Sequence, residues 1–310
     1  MPLYVNVPID DPKYHQQTQP VDVDEKIFES AFDAKRPGTL VRIYRLFCFI
    51  FFLGPIKILL TILSFFLLFG EFYVIPLFHR FFNDEREYKE WAVRMTHPFV
   101  RLFLFSLGVI HVKVNGKIEK TTRTFVSNHL TGVDAATLFH LIPCQFLANA
   151  GIKNTAFCHQ ACKIFDQIYV DRSKKQGATE LIIEAQNDPE RLPLAIFPEG
   201  RVTNGSCVLG FRSGAFVNNT PIQPVAIRYR HWLIPESMAT ISWVEWNFPL
   251  YIYQLFSVPF YTLEITFMPQ LNFDDSTTPQ ERAFKTELQI ANYLGCPALH
   301  KTNKGTLNRE

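Results

Sequence analysis

The chain is predicted to fold as an α/β protein: a mixed, largely parallel sheet flanked by helices, preceded by a membrane-embedded helical segment. Three observations carry this. From about Val112 onward, short β-branched runs alternate with helical patterns, the arrangement that builds a parallel sheet. Leu46 to Phe69 is a nearly uncharged run of 24 residues in which Lys57 is the single formal charge. Only 19% of the 310 residues are charged, below the ~25% usual for soluble domains, and Phe alone occurs 30 times.

Residues 1–38 are polar, with Pro2, Pro8 and the acidic stretch Asp22-Val-Asp-Glu, and read as a loosely ordered cytosolic tail. They hold no apolar run of the kind that marks a cleavable signal peptide. Residues 39–112 form the membrane-anchoring helical region. As a straight helix Leu46 to Phe69 would extend about 36 Å, enough to cross a ~30 Å hydrocarbon core. Gly54-Pro55 should break or kink it, and each half alone is too short to span. Lys35, Arg36, Arg42 and Arg45 precede the run, and Arg80, Arg86, Lys89 and Arg94 follow it, so positive charge gives it no polarity. A single crossing and a re-entrant pair of helices both stay open. The symmetry favours the pair, whereas a cation at the depth of Lys57 opposes it. A buried core helix is the alternative to both. Pro98 to Val112 reads as a shorter interfacial or core helix.

The α/β domain spans 113–296, with a polar tail over 297–310. Strands are expected at Thr124-Phe-Val-Ser, Ile168-Tyr-Val, Leu194-Ala-Ile-Phe, Pro224-Val-Ala-Ile-Arg-Tyr and Leu263-Glu-Ile-Thr-Phe. Helices are expected from Ala178 and from Pro279, the second starting after a Ser-Thr-Thr turn and stopping at Gly295. The aromatic stretch Thr240 to Tyr261, with Trp243 and Trp246, either meets lipid headgroups or packs on the sheet. A net charge of +2 argues against nucleic-acid binding through phosphate neutralisation. Six irregularly spaced cysteines do not form a disulfide framework.

Chemistry concentrates in four blocks. The first is Ser127-Asn128-His129-Leu130-Thr131-Gly132-Val133-Asp134, a loop between a strand and a helix. Asp134 suits the helix N-cap, where its carboxylate can hold one imidazole nitrogen of His129 protonated and leave the other as a base. Taken alone, His-x4-Asp is common and reads more readily as an ordinary loop histidine and a capping aspartate. The second block is Phe197-Pro198-Glu199-Gly200-Arg201, a strand tip with exposed N–H groups that suits a polar or anionic headgroup. The third is Ile168-Tyr-Val-Asp171-Arg172, and the fourth Pro221-Ile-Gln-Pro224-Val-Ala-Ile.

In this order the blocks resemble the signature motifs of the glycerophospholipid acyltransferase superfamily: N-H-x4-D, a strand ending in D-R, F-P-E-G and P-I-x-P-V. Gly54-Pro55-Ile56-Lys57, Thr203-Asn204 and the stretch from Ser242-Trp243 to Phe267-Met268-Pro269 are similar to its lysophosphatidylcholine and lysophosphatidylethanolamine acyltransferase branch. The resemblance implies the glycerolipid acyltransferase fold and transfer of a fatty acyl group from acyl-CoA to the free glycerol hydroxyl of a lysophospholipid. Lysophosphatidylcholine, lysophosphatidylethanolamine and lysophosphatidic acid are the acceptors it implies. His129 would be the general base, Asp134 its orienting acid, and Arg172 the contact to acceptor phosphate. Glu199, Gly200 and Arg201 would complete that pocket, and Pro224 would shape the acyl-CoA side.

Many relatives carry Thr or Ser after F-P-E-G, where this chain has Arg201. Acyl-CoA is expected as co-substrate with no cofactor. No metal is expected, because Cys158-His159-x2-Cys162 lacks a second ligand pair. The implied setting is the endoplasmic reticulum membrane or a lipid droplet. The sequons at Asn204 and Asn218 fall in or beside the implied site, which favours a cytosol-facing domain. The alternative from a different class is a catalytically silent acyltransferase-like scaffold on the same membranes.

Overall fold

The computed structural model describes residues 3–7, 25–34, 37–170, 177–234, 241–244 and 247–302. The first half of the described chain comprises β1 (Leu3–Val7), α1 (Glu25–Ser30), α2 (Thr39–Cys48), α3 (Gly54–Val74), α4 (Glu85–Ser106), β2 (Val109–Gly116), β3 (Thr124–Ser127) and α5 (Val133–Leu141). There follow β4 (Gln145–Asn149), α6 (Ala156–Phe165), β5 (Ile168–Val170), α7 (Ala178–Asn187), β6 (Leu194–Ile196), β7 (Ile222–Arg230), α8 (Phe248–Ser257), β8 (Tyr261–Phe267) and α9 (Pro279–Leu294). The strands form one sheet in the order β1-β2-β8-β7-β3-β6-β4-β5. Every adjacent pair is parallel except β7 with β8, so the sheet is mixed and largely parallel, as the sequence predicts.

Period-two alternation divides the strand side chains between two cores. Phe125, Ala195, Val225 and Ile227 face a layer built by α4, α5, α6 and α8. Val126, Leu194, Ile196 and Ala226 face α7 and α9. The last helix starts at the expected place, where Thr278 and Glu281 exchange hydrogen bonds in a capping box. It ends at Gly295 in the left-handed conformation.

Several boundaries differ from the sequence reading. Pro98 to Val112 is not one helix: it finishes α4 and begins β2, turning at Gly108, whose φ of +95° closes the helix. The expected boundary at 112–113 therefore cuts through β2. Within 1–38, read from the sequence as a loosely ordered tail, the described residues include ordered parts of the fold. β1 extends the sheet beside β2, and α1 buries Phe28, with Ala31 just beyond it, against Cys207, Leu209 and Leu299. Leu299 lies within the expected tail at 297–310, and its N–H bonds Val208 O.

The apolar run bends where Gly54-Pro55 interrupts it. Proline cannot donate the helical hydrogen bond, and the chain absorbs this as a π-helical turn over Phe49–Leu53 before α3 begins. Gly54–Phe81 is 28 residues and, by length and composition, long and apolar enough to cross a membrane. Yet Lys57 at its start is buried in protein. Its ammonium donates to Val258 O at 2.8 Å and lies over the rings of Phe256 and Tyr261. Arg45 on α2 is fixed likewise, donating to Ser257 Oγ and Gln254 O. Two cations thus fasten the apolar segment to the α8–β8 junction, while Leu68 and Phe72 of α3 pack into the core beside α4 and α6.

Removing the ammonium while keeping the stem isolates this fastening. Lys57→Met is expected to lower stability by about 2 kcal/mol, as for a buried hydrogen bond to a charged group, read as a lower Tm of the detergent-solubilised protein.

Candidate active site

The reacting geometry is built at the C-terminal ends of β3, β6 and β7, where an α/β sheet presents its loops. Asn128 pins the β3 loop sideways onto β7. Its amide donates to Ile227 O at 3.0 Å and its carbonyl accepts from Ile227 N at 2.8 Å. The next residue, His129, is thereby held at the sheet edge with its side chain 20% exposed.

Asp134 sits two residues further into the helix than expected. Gly132 takes the N-cap place, and Asp134 lies in the first turn of α5 with no exposed surface. Its Oδ2 accepts from Leu130 N at 2.6 Å, Thr131 N at 2.9 Å and His129 Nδ1 at 3.0 Å. Oδ1 accepts from the Tyr229 hydroxyl at 2.9 Å. A carboxylate facing Nδ1 selects the tautomer protonated there and leaves Nε2 with a free lone pair. The imidazole also stacks on Phe197, with centroids 4.2 Å apart and planes 16° from parallel. Phe197 in turn stacks on Phe146.

Glu199 does something other than line a headgroup pocket. It is fully buried, with Oε1 accepting from His129 N at 2.8 Å and Oε2 from Leu209 N at 3.1 Å. It staples the loop of His129 to the 208–210 segment. Burial pushes its carboxyl up to about 8, against the pull of those two N–H donors. Gly200 adopts φ +71°, a left-handed conformation in which any side chain is strained.

Arg201 lies over the Phe32 ring at 4.3 Å. Beside it Asn204 N donates to Ala31 O, and the Asn204 amide donates to Ser30 O and Asp33 O. This sequon's amide is therefore engaged inside the fold. Pro224 is in mid-strand, opposite Val126 and below the loop, so it shapes the sheet rather than an acyl-CoA surface. Arg172 falls outside the described residues.

Three cavities meet this loop. One of about 310 Å³ runs between α3, α4, α5 and α6, lined by Phe65, Gly132, Ala136, Phe146 and Ala161 among others. A second, of about 430 Å³, lies against Thr131 and Val133 and is almost wholly apolar, with Ile58, Ile62, Trp243 and Tyr251 in its wall. The third, of about 240 Å³, is partly polar, lined by Asn128, Asn204, Ser206, Arg228 and Ser242. The loop that carries the imidazole thus borders hydrocarbon-like space through Thr131, Gly132 and Val133 and a partly polar pocket through Asn128 and Leu130.

Sequence reasoning missed Asn128, Phe197 and Tyr229 as parts of the site. The alternation of Val225, Ile227 and Tyr229 along β7 held the signal, because it points all three to the α5 side.

A buried carboxyl with a raised pKa keeps a proton in the folded state that the unfolded chain has released. Between the ordinary 4.5 and about 8, Glu199 therefore makes stability fall as pH rises. Glu199→Gln is expected to remove that component, so melting temperatures of wild type and variant compared from pH 5 to 8 should converge or cross as pH rises.

The chain was then compared with known proteins. The family described as Acyltransferase matches residues 96–228. Lysophospholipid acyltransferase LPEAT2 of Arabidopsis thaliana is 30% identical over 52% of this chain and 31% of its own length. Lysophospholipid acyltransferase LPCAT4 of Mus musculus is 28% identical over 82% of this chain and 51% of its own. Lipid droplet-regulating VLDL assembly factor AUP1 of Danio rerio is 31% identical over 63% and 45%. The chain thus spans about half or less of the length of these curated relatives. Among solved structures, the 1-acyl-sn-glycerophosphate acyltransferase PlsC from Thermotoga maritima superposes with a TM-score of 0.52. It is 14% identical and covers 79% of this chain and 97% of its own. Residues 96–228 are thus similar to the Acyltransferase family, and the relatives that the chain resembles over part of their length include named lysophospholipid acyltransferases.

Proposed function

We propose that the protein is a membrane-bound acyltransferase that moves a fatty acyl group from acyl-CoA to the free glycerol hydroxyl of a lysophospholipid. The acceptor is lysophosphatidylcholine, lysophosphatidylethanolamine or lysophosphatidic acid. The observation that carries this reading is the 3.0 Å contact of His129 Nδ1 with buried Asp134, on a loop that borders an apolar cavity and a partly polar pocket.

In this mechanism Nε2 of His129 takes the acceptor hydroxyl proton as its oxygen attacks the thioester carbonyl. The carbon–sulfur bond then breaks, and the proton passes to the departing coenzyme A thiolate. Asp134 holds the ring and stabilises the imidazolium between these steps. Because the hydroxyl attacks directly, no acyl-enzyme forms. The fatty chain occupies the apolar cavity beside Gly132. The headgroup occupies the polar side, with Arg201 as a cation for its phosphate; Arg172, the contact that the resemblance implies, lies outside the described residues.

The membrane reading rests on exposed apolar side chains. Ile43, Phe47, Leu59 and Phe66 on α2 and α3 are more than half exposed, and Trp232, Trp243 and Phe248 add to this surface. Because Lys57 and Arg45 tie α2 and α3 to the domain, the segment rests against one leaflet with the site at lipid depth. We place the protein at the endoplasmic reticulum membrane or a lipid droplet, with the domain facing the cytosol. A silent scaffold is the second reading, favoured by the similarity to AUP1; the intact His129–Asp134 pair weighs against it.

A panel of acyl-CoAs and lysophospholipids, with coenzyme A thiol release as the readout, separates the two readings. His129→Ala is expected to lower transfer by about 10²–10⁴-fold, the usual contribution of a general base. Release from wild type with none of the acceptors would favour the scaffold, and full activity in His129→Ala would remove the mechanism. Ala161→Phe, which fills part of the 310 Å³ cavity, is expected to shift preference toward shorter acyl-CoAs in the same assay.

A further inference from the structure

Tyr229 ends the run Pro224-Val-Ala-Ile-Arg-Tyr on β7 and is 4% exposed. Its hydroxyl donates to Asp134 Oδ1 across a sequence separation of 95 residues. The other three donors to that carboxylate, Leu130 N, Thr131 N and His129 Nδ1, all converge on Oδ2 and all belong to one short loop. Those three fix where Oδ2 lies. Rotation about the Cβ–Cγ bond, a torsion with no sharp minima, carries both oxygens, and these donors resist it from one oxygen and one loop only. The donor on Oδ1 resists the same rotation from the other oxygen and from a separate strand.

We propose that Tyr229 is a positioning residue for acyl transfer, its hydroxyl orienting Asp134 so that the His129 ring presents Nε2 to the acceptor hydroxyl. The proposal rests on the reading of His129 as the general base.

Two physical effects follow. The first is orientation: the Asp134 lone pair aimed at Nδ1 keeps the ring in one rotamer, and the attack geometry depends on that rotamer. The second is charge. A hydrogen bond donated to Oδ1 draws electron density away from Oδ2 and tempers the attraction of the carboxylate for an imidazolium. Without it, Asp134 holds the imidazolium more strongly. Burial, reinforced by the neighbouring Asp134 charge, pushes the Tyr229 phenol well above its ordinary value, so it remains a donor across the assay range.

Other groups around the pair are accounted for. Glu199, at the end of β6, bonds the His129 backbone. Tyr251 faces Asp134 from α8 as a buried phenol. On α4, His97 and Arg101 contact His140, further along α5 than Asp134.

The experiment uses the full chain in detergent or membranes and an acceptor that wild type accepts. Tyr229→Phe is expected to lower kcat about tenfold, the scale of one buried hydrogen bond, with KM for both substrates within twofold. The acid limb of its pH–rate profile should move to higher pH. Tyr261→Phe, an equally buried phenol remote from Asp134, should leave kcat and the limb in place. A difluorotyrosine at position 229 keeps the shape but donates more strongly, and should move the acid limb to lower pH even if Tyr229→Phe folds poorly. Unchanged kcat and an unmoved limb in folded Tyr229→Phe, or no downward shift with difluorotyrosine, overturns the proposal while His129→Ala remains inactive. Full activity in His129→Ala instead removes the general-base reading beneath it.

Discussion

A carboxylate sealed from water must be met by donors, or burying it costs more than a folded domain can sustain. Asp134 satisfies this with four hydrogen bonds, two of them to the backbone of its own loop. That requirement shapes the site. It curls residues 129–134 tightly enough for a base and its acid to share one loop, and it binds the loop to β7 through Tyr229. Glu199 repeats the device from the neighbouring strand, joining His129 N to Leu209 N. The two buried acids divide the work, one setting the ring and the other setting the loop that carries the ring.

Much of this was readable in the residues. The strands at 124–127, 168–170, 194–196 and 261–267, and the helices from Ala178 and Pro279, follow from alternation, capping and glycine stops. His129 and Asp134 are found together because a five-residue step across a strand–helix loop brings an imidazole to a carboxylate. The role of Glu199 was not readable. A motif shows that an acid stands at a strand tip, but not whether its side chain turns out to a ligand or in to backbone N–H groups. β1 and β4 escaped because strands of only five residues carry little periodic signal. Gly108 marks the end of α4 only once its positive φ is known.

The apolar segment illustrates how composition and packing can diverge. By hydropathy alone Lys57 is an expensive charge in the middle of a span. In the fold it is the point of attachment, held by Val258 O and two aromatic rings. The stretch carries both signals because it has two faces. Its outer apolar side chains are exposed, while Lys57, Ser64, Leu68 and Phe72 are buried. One helix thus keeps an apolar outer face free and lines the apolar cavity with its inner one.

The loop after Glu199 has a different kind of support. Asn204 reaches back across 174 residues to Ser30, Val208 bridges to Ala298, and Lys301 ties this second partner to Glu25 of the first. The wall over 199–210 is thus braced from two sides of the fold, by α1 and by residues 297–301. Because Glu199 joins Leu209 to His129, loosening either brace would slacken the loop that carries the imidazole.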